Sequence, residues 1–312
     1  MHKLGIILDP MENKTKFKSA FIALVGRPNS GKSTLMNTIL GEQLSVVTPL
    51  PQTTRRNLRG IYTTDNMQLI FVDTPGVHKG KHAFNESMIK ETGGAISRQG
   101  VDLICYIVDM SRSFGDEETE VSNLVKMANL PVIIIFNKAD IVESPEKVIK
   151  IFREQFPDFK DTPDVKLSAV KPEAKELFLK SIEPFIAEGP LYFPPDELTD
   201  SNLRFFAAEY IRKQIILNTR EEVPHATFVE IESYKESETR HEISTTIHVE
   251  TIGQRGIVVG KGGAGINKIK KAAEAEMKQL TGVPAKITCH VKVSPGWRDN
   301  DAFLRSMGMP VG

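Results

Sequence analysis

Gly26, Gly31, Lys32 and Ser33 fall at the spacing G-x-x-x-x-G-K-[ST] within the run GRPNSGKST. That pattern holds a nucleoside triphosphate. Backbone N–H groups of such a loop converge on the β-phosphate, the lysine reaches the β/γ oxygens, and the hydroxyl binds Mg²⁺. Arg27, Pro28, Asn29, Ser30 and Thr34 complete the stretch and belong to the expected nucleotide site. Three later segments say which nucleotide. In Asp73-Thr74-Pro75-Gly76 the carboxylate can support the metal and the Gly76 N–H can meet the γ-phosphate. In Asn137-Lys138-Ala139-Asp140 the Asp140 carboxylate can accept from both N1–H and the N2 amine of guanine, whereas adenine offers no donor at either place. Ser168-Ala169 matches the short loop whose backbone N–H contacts guanine O6.

Each motif needs a strand behind it, and each has one. Apolar runs at 21–25, 69–72, 132–136 and 165–167 end at the four segments, and a further run spans 103–109. An edge pair is expected around 58–72, and helix-compatible stretches follow the last three strands. The pattern predicts a doubly wound α/β domain over 18–188 with its ligand at the carboxyl ends of the strands. Gly189-Pro190 and Phe193-Pro194-Pro195 mark a linker over 189–200. A smaller α+β domain is expected over 201–312, in the order helix (201–219), strand (226–235), strand (240–252), glycine-rich turn, helix (264–280), strand (285–293). Thr199, Asp200 or Ser201 is the expected cap of its first helix, with Phe205, Ala208, Ile211, Ile215 and Leu217 on the apolar face. The turn Gly260-Lys261-Gly262-Gly263 would let a nucleic-acid backbone approach closely, with Lys261 as a phosphate partner and an apolar groove beside it for unstacked bases. This half looks like a KH domain of the bacterial topology. Gly260, Gly262 and Gly265 also spell a dinucleotide fingerprint, but the next strand ends in Ser294-Pro295-Gly296 without the carboxylate that fingerprint requires.

Composition agrees. The 312 residues suggest two domains, and no apolar run approaches the roughly 18 residues of a membrane helix. The formal net charge is zero, yet residues 1–200 hold 24 Lys+Arg against 27 Asp+Glu while 201–312 hold 16 against 13. The excess lies in 255–292 and includes Lys268 and Lys271, which join the turn as expected RNA contacts. Cys105 and Cys289 sit in strand-like runs and read as buried thiols of a reducing compartment. No secretory or transit signal is convincing at the N-terminus, where residues 1–17 read as a disordered extension. Trp297 is expected to pack the last short helix rather than stack a base.

A GTPase domain followed by such a KH domain resembles the Era GTPases over nearly the whole chain after about residue 18. The carriers are GRPNSGKST, Pro51-Gln52-Thr53-Thr54-Arg55, DTPG, NKAD, the Ser168-Ala169 pair, Phe193-Pro194 with Thr199-Asp200, and the V-x-G-K-x-G turn. The resemblance implies a monomeric cytoplasmic GTPase that binds the 3′ end of small-subunit (16S) ribosomal RNA, assists maturation of the 30S subunit, and contacts the membrane peripherally. Catalysis would rest on Lys32, Thr54, Asp73 and Gly76, with Ser33 and Thr54 on Mg²⁺ and Asp73 supporting the metal. Val77 stands where many GTPases carry a catalytic glutamine, and Asn29 matches an asparagine that coordinates K⁺ in related enzymes. Slow turnover, accelerated by RNA or the ribosome, is the corresponding expectation. Two competing readings are an RNA-binding module whose bound nucleotide does not turn over and a GTPase coupled to RNA modification. Intact Lys32, Thr54 and Asp73 argue against the first, and the lack of an extra N-terminal domain or a reactive C-terminal cysteine against the second.

Overall fold

Isoleucine, valine and leucine fill the central parallel strands without the polar alternation of a half-exposed sheet, so both faces must be covered. The computed structural model describes residues 16–47, 57–74 and 100–307. In it β1 (Lys18–Val25), β2 (Leu58–Thr64), β3 (Met67–Asp73), β4 (Leu103–Asp109), β5 (Val132–Asn137) and β6 (Asp164–Lys166) form one sheet in the order β2-β3-β1-β4-β5-β6. Only β2 runs antiparallel, paired with β3 at the edge. Alternation along each strand divides the core. Ile22, Leu24, Cys105, Ile107, Ile133 and Ile135 pack toward α1 (Lys32–Leu40) and a helix at Ala174–Ile182. Ala23, Val25, Ile104, Tyr106, Ile134 and Phe136 pack on the other face with Val121 and Val125 of α2 (Asp116–Ala128) and Phe152 of α3 (Pro145–Gln155). The Ala174–Ile182 helix is α4.

The second sheet is β7 (Phe228–Lys235), β8 (His241–Val249) and β9 (Ala285–Val293), with β7 antiparallel and β9 parallel to β8. A parallel neighbour requires a crossover. It is supplied by α6 (Ile252–Val259) and α7 (Ala264–Thr281), while α5 (Leu203–Asn218) precedes the sheet and α8 (Asp301–Ser306) follows it. The helix-strand-strand-helix-helix-strand order is that of the bacterial KH topology, with the short α6 preceding the glycine-rich turn.

Details of α5 differ from the sequence reading. Its cap is Asn202, whose side chain accepts from the Phe205 N–H, and Thr199 Oγ1 instead accepts from the Ser201 N–H. The buried face runs through Phe206, Ala207, Tyr210, Ile211 and Ile215, so Phe205 and Ala208 lie at its margin and Leu217 is exposed. Two adjacent apolar stripes were available, and the sheet together with α7, whose Ile269, Ala273 and Met277 share this core, selected between them. Trp297 is buried, donates from Nε1 to the Ala226 carbonyl, and packs on Phe228 and Phe303 as expected.

The linker is not a free tether. Gln68 of β3 is fully buried, and its side-chain oxygen accepts from the Tyr192 and Phe193 N–H groups at 2.8 and 3.0 Å while its amide donates to the Phe193 carbonyl at 2.9 Å. Further along, the Ile61 N–H donates to the Leu198 carbonyl, and Arg59 pairs with Asp200 at 2.6 Å. Residues 192–200 are thereby pinned along the β2–β3 edge.

Candidate functional site

Parallel strands bring their carboxyl ends to one edge of the sheet, and four sequence motifs meet there. Gly26 follows β1 with its backbone so close to β4 that an added Cβ would lie 2.5 Å from the Ile107 carbonyl oxygen. Gly31 has φ of +102°, and a Cβ there would stand 2.1 Å from Asn137 Nδ2. Only glycine permits both the left-handed turn and the approach of Asn137. The turn delivers Lys32 into the first position of α1, so the loop N–H groups and the helix N-terminus point into one concavity.

Lys32 is buried and donates from Nζ to the Gly26 and Arg27 carbonyls at 3.1 and 2.9 Å. Burial pushes its ammonium down to about 8, with the Asp73 and Glu118 carboxylates opposing. A desolvated ammonium gains more from an anionic partner than an exposed one does. Ser33 Oγ donates to Asp73 Oδ2 at 2.6 Å, and Ser45 Oγ donates to the same oxygen at 2.7 Å. Asn37 holds Ser45 through two hydrogen bonds at 2.8 Å. A hydroxyl and a buried carboxylate side by side are hard oxygen donors, the set that Mg²⁺ takes. Thr54, Pro75 and Gly76 lie outside the described residues, as do Pro51-Gln52-Thr53, Arg55 and Val77. Thr74 is buried and donates from Oγ1 to the Leu24 carbonyl.

Arg27 departs from its expected place. Its guanidinium turns away from the concavity into the protein, pairs with Glu118 of α2 at 2.6 Å, and donates to the Ser113 and Asp109 carbonyls. Tyr106 donates to the same Glu118 carboxylate at 2.6 Å. Burial pushes the Glu118 pKa up despite the arginine. Arg27 therefore anchors the loop from behind while its backbone faces inward. Pro28 is buried, with its carbonyl near the Arg112 guanidinium at 3.4 Å. Ser30 is buried too, whereas Asn29 is exposed with φ of +61°. Thr34 is partly buried on the first turn of α1.

On the base side, Asn137 joins two loops. Its Nδ2 donates to the Ser30 carbonyl and its Oδ1 accepts from the Ala169 N–H, both at 2.8 Å. Thr38 of α1 donates to the Ala169 carbonyl at 2.7 Å. Ser168 and Ala169 are both buried, and Asp140 is exposed at the mouth. Lys138, in the left-handed region with φ of +66°, pairs with buried Asp109 at 2.7 Å. The sequence reading missed Asp109, Glu118 and Ser45. Asp109 carried a signal: it ends an apolar strand, as Asp73 and Asn137 do.

The second sheet presents a separate surface. Gly260, Gly262 and Gly263 all have positive φ, +71°, +58° and +81°. A Cβ on Gly260 would lie 2.6 Å from the Gly265 nitrogen, and one on Gly265 would lie 2.8 Å from the Val258 carbonyl oxygen. That backbone contact between α6 and α7 accounts for the G-x-G-x-x-G spelling without a dinucleotide. Lys261, Gly262, Lys268 and Lys271 are exposed, and α6 exposes Ile252 and Ile257, 79% and 56% accessible. The turn therefore offers a thin backbone and an exposed lysine, with further exposed lysines on α7 and exposed isoleucines on α6.

Comparison with known proteins gives concordant results. A family described as "50S ribosome-binding GTPase" matches residues 21–138 and the KH domain family matches 222–298. The chain is 39% identical over 299 residues to "GTPase Era" of Caldanaerobacter subterraneus subsp. tengcongensis, covering 95% of this chain and 99% of the relative. It is also 39% identical to "GTPase Era" of Nostoc sp., covering 95% and 91%. Among solved structures, Era in complex with MgGDPNP and nucleotides 1506–1542 of 16S ribosomal RNA superposes with a TM-score of 0.87 at 32% identity, covering 94% of this chain and 99% of that one. An Aquifex aeolicus Era variant bound to GDP and AlF4⁻ gives 0.87 at 31%, with the same coverage.

Proposed function

Because this chain belongs to the Era GTPase family, we propose that it binds and hydrolyses GTP and, through its KH domain, holds the 3′ end of small-subunit (16S) ribosomal RNA during maturation of the 30S subunit. The observation that carries the reading is the coexistence, in one chain, of the phosphate loop, the NKAD tetrad and the Ser168-Ala169 loop around one mouth with a GKGG turn between two helices that expose lysines and isoleucines.

Ser33 and Asp73, with Thr54, would hold Mg²⁺, which when bound neutralises charge on the phosphate oxygens. Lys32 and the N–H groups of residues 26–34 bind and orient those oxygens in a pocket that excludes water from the lysine. Asp140 accepts from guanine, and Ala169, immobilised by Asn137 and Thr38, frames the opposite edge of the base. Val77 can neither orient water nor supply charge, so K⁺ at Asn29 and a stimulus from bound RNA are the sources assigned to the missing stabilisation. The protein acts as a monomer in the cytoplasm, with any membrane contact peripheral; among the described residues no helix is long and apolar enough to cross a membrane.

The test is phosphate release from GTP and from ATP, with and without an RNA oligonucleotide of the 16S 3′ end, in K⁺ and in Na⁺ at equal ionic strength, with Gly262→Asp alongside. Open space surrounds Gly262, and aspartate tolerates a left-handed φ, so the variant should fold. RNA affinity should fall at least about tenfold through charge repulsion, with GTP affinity unchanged. Equal turnover of ATP and GTP would exclude the base assignment, and RNA binding untouched by Gly262→Asp would exclude the GKGG surface.

A further inference from the structure

Asp109 ends β4 directly beside Asn137 in the sheet register, and it is fully buried among the ends of the strands. Its Oδ1 accepts from the Ser111 N–H at 2.9 Å and from Ser111 Oγ at 2.6 Å, which sets the carboxylate plane. Its Oδ2 is left to Lys138 Nζ at 2.7 Å. A buried carboxylate is costly unless it is paired and hydrogen-bonded, and this one is both. Burial pushes its pKa up, but the hydrogen bonds from Lys138 and Ser111 outweigh that and hold it below the usual carboxylate value. Lys138 itself adopts a left-handed backbone that non-glycine residues rarely take, and it keeps 31% of its side chain accessible although its ammonium is tied inward. Asp140, two residues on, is exposed at the mouth.

From this geometry we infer that Asp109 is a positioning residue for base recognition: by holding the Lys138 ammonium at the end of β4, it fixes the left-handed turn at Lys138 and with it the placing of Asp140 two residues on. The inference rests on the guanine-nucleotide reading of this mouth. The Asp109 carboxylate hydrogen-bonds to Ser111 and Lys138, whereas its contact with Arg27 of the phosphate loop runs through the backbone carbonyl at 3.3 Å. Replacing the carboxylate should therefore loosen the base side and spare the phosphate side.

The experiment compares the full-length chain with Asp109→Asn, Lys138→Met and the double variant, titrating each with GDP and with inorganic tripolyphosphate, which has no base. Asparagine keeps the shape and the Ser111 bonds but loses the charge on Lys138, and methionine keeps an apolar stem without the ammonium. Asp109→Asn should weaken GDP binding about tenfold and leave tripolyphosphate within about twofold. Lys138→Met should match that loss, and the double variant should be no worse than either single one, the non-additivity of groups acting as a unit. Parallel loss of GDP and tripolyphosphate, or additive losses in the double variant, would overturn the role. Unchanged GDP affinity in Asp109→Asn would overturn it equally. Should wild type bind tripolyphosphate and not GDP, the nucleotide reading itself fails, and that outcome is separate from either of these. A melting temperature within a few degrees of wild type is required of each variant; if Asp109→Asn does not meet it, Lys138→Met, at a side chain that is partly accessible, decides alone.

Discussion

Asn137→Ala probes how the two loops of the mouth are held together. The side chain is 1% exposed and makes hydrogen bonds of 2.8 Å to the Ser30 carbonyl and from the Ala169 N–H. Truncation removes both partners while the Ser30 and Ala169 backbone groups stay buried. Each orphaned group costs about 1–3 kcal/mol, so the junction should lose about 2–4 kcal/mol after partial relaxation by water. At about 1.4 kcal/mol per factor of ten, the Ala169 amide should exchange at least about thirtyfold faster in native-state hydrogen exchange. GDP affinity should fall by about the same factor, because both loops are needed in place before the ligand arrives. Amides of the KH half, for example Ile287 in β9, should exchange at the wild-type rate. Asn137→Asp keeps the acceptor for Ala169 and should restore part of that amide's protection without restoring the Ser30 contact. Unchanged protection at Ala169 in Asn137→Ala would refute the reasoning, since the bond would then contribute nothing to local order.

Two further outcomes follow from geometry away from the mouth. Gln68→Ala removes every side-chain bond that ties Tyr192 and Phe193 to β3, and because Tyr192 is half-exposed, water can replace part of the loss, leaving about 1–2 kcal/mol. Limited proteolysis at residues 190–197 should accelerate about tenfold, and equal cleavage rates would show that the strand edge does not hold the linker. Cys105 is buried as expected, whereas Cys289 is only partly buried; burial pushes the Cys289 thiol up to about 12 and the Cys105 thiol upward as well, so neither carries appreciable thiolate at pH 8. Ellman's reagent at pH 8 should label them at least about a hundredfold more slowly than the urea-unfolded chain; fast labelling of the native protein would contradict the raised thiol pKa values.

The amino-acid sequence by itself determined the strand-end motifs. Each is a contiguous run whose chemistry depends on local backbone, so GRPNSGKST, NKAD, Ser168-Ala169 and the GKGG turn could be read from spacing, and the sheet then only had to align their strands. Asp140, Lys32 and the glycines accordingly sit where the motifs place them. What tertiary structure decided was every contact between segments distant in the chain. Arg27 lies inside the phosphate-loop motif, yet its side chain faces Glu118, a residue 91 positions away whose acidic first-turn place on α2 reads from sequence as an ordinary helix start. Gln68 looks like a solvent-facing strand residue until the linker folds over it. The buried stripe of α5 turns on a helix rotation of about one residue step, which amphipathic patterning cannot resolve when Phe205 and Phe206 are both apolar. Local codes specify groups, whereas the direction a side chain takes is set by whichever distant partner satisfies its charge or hydrogen bonds once burial has removed water.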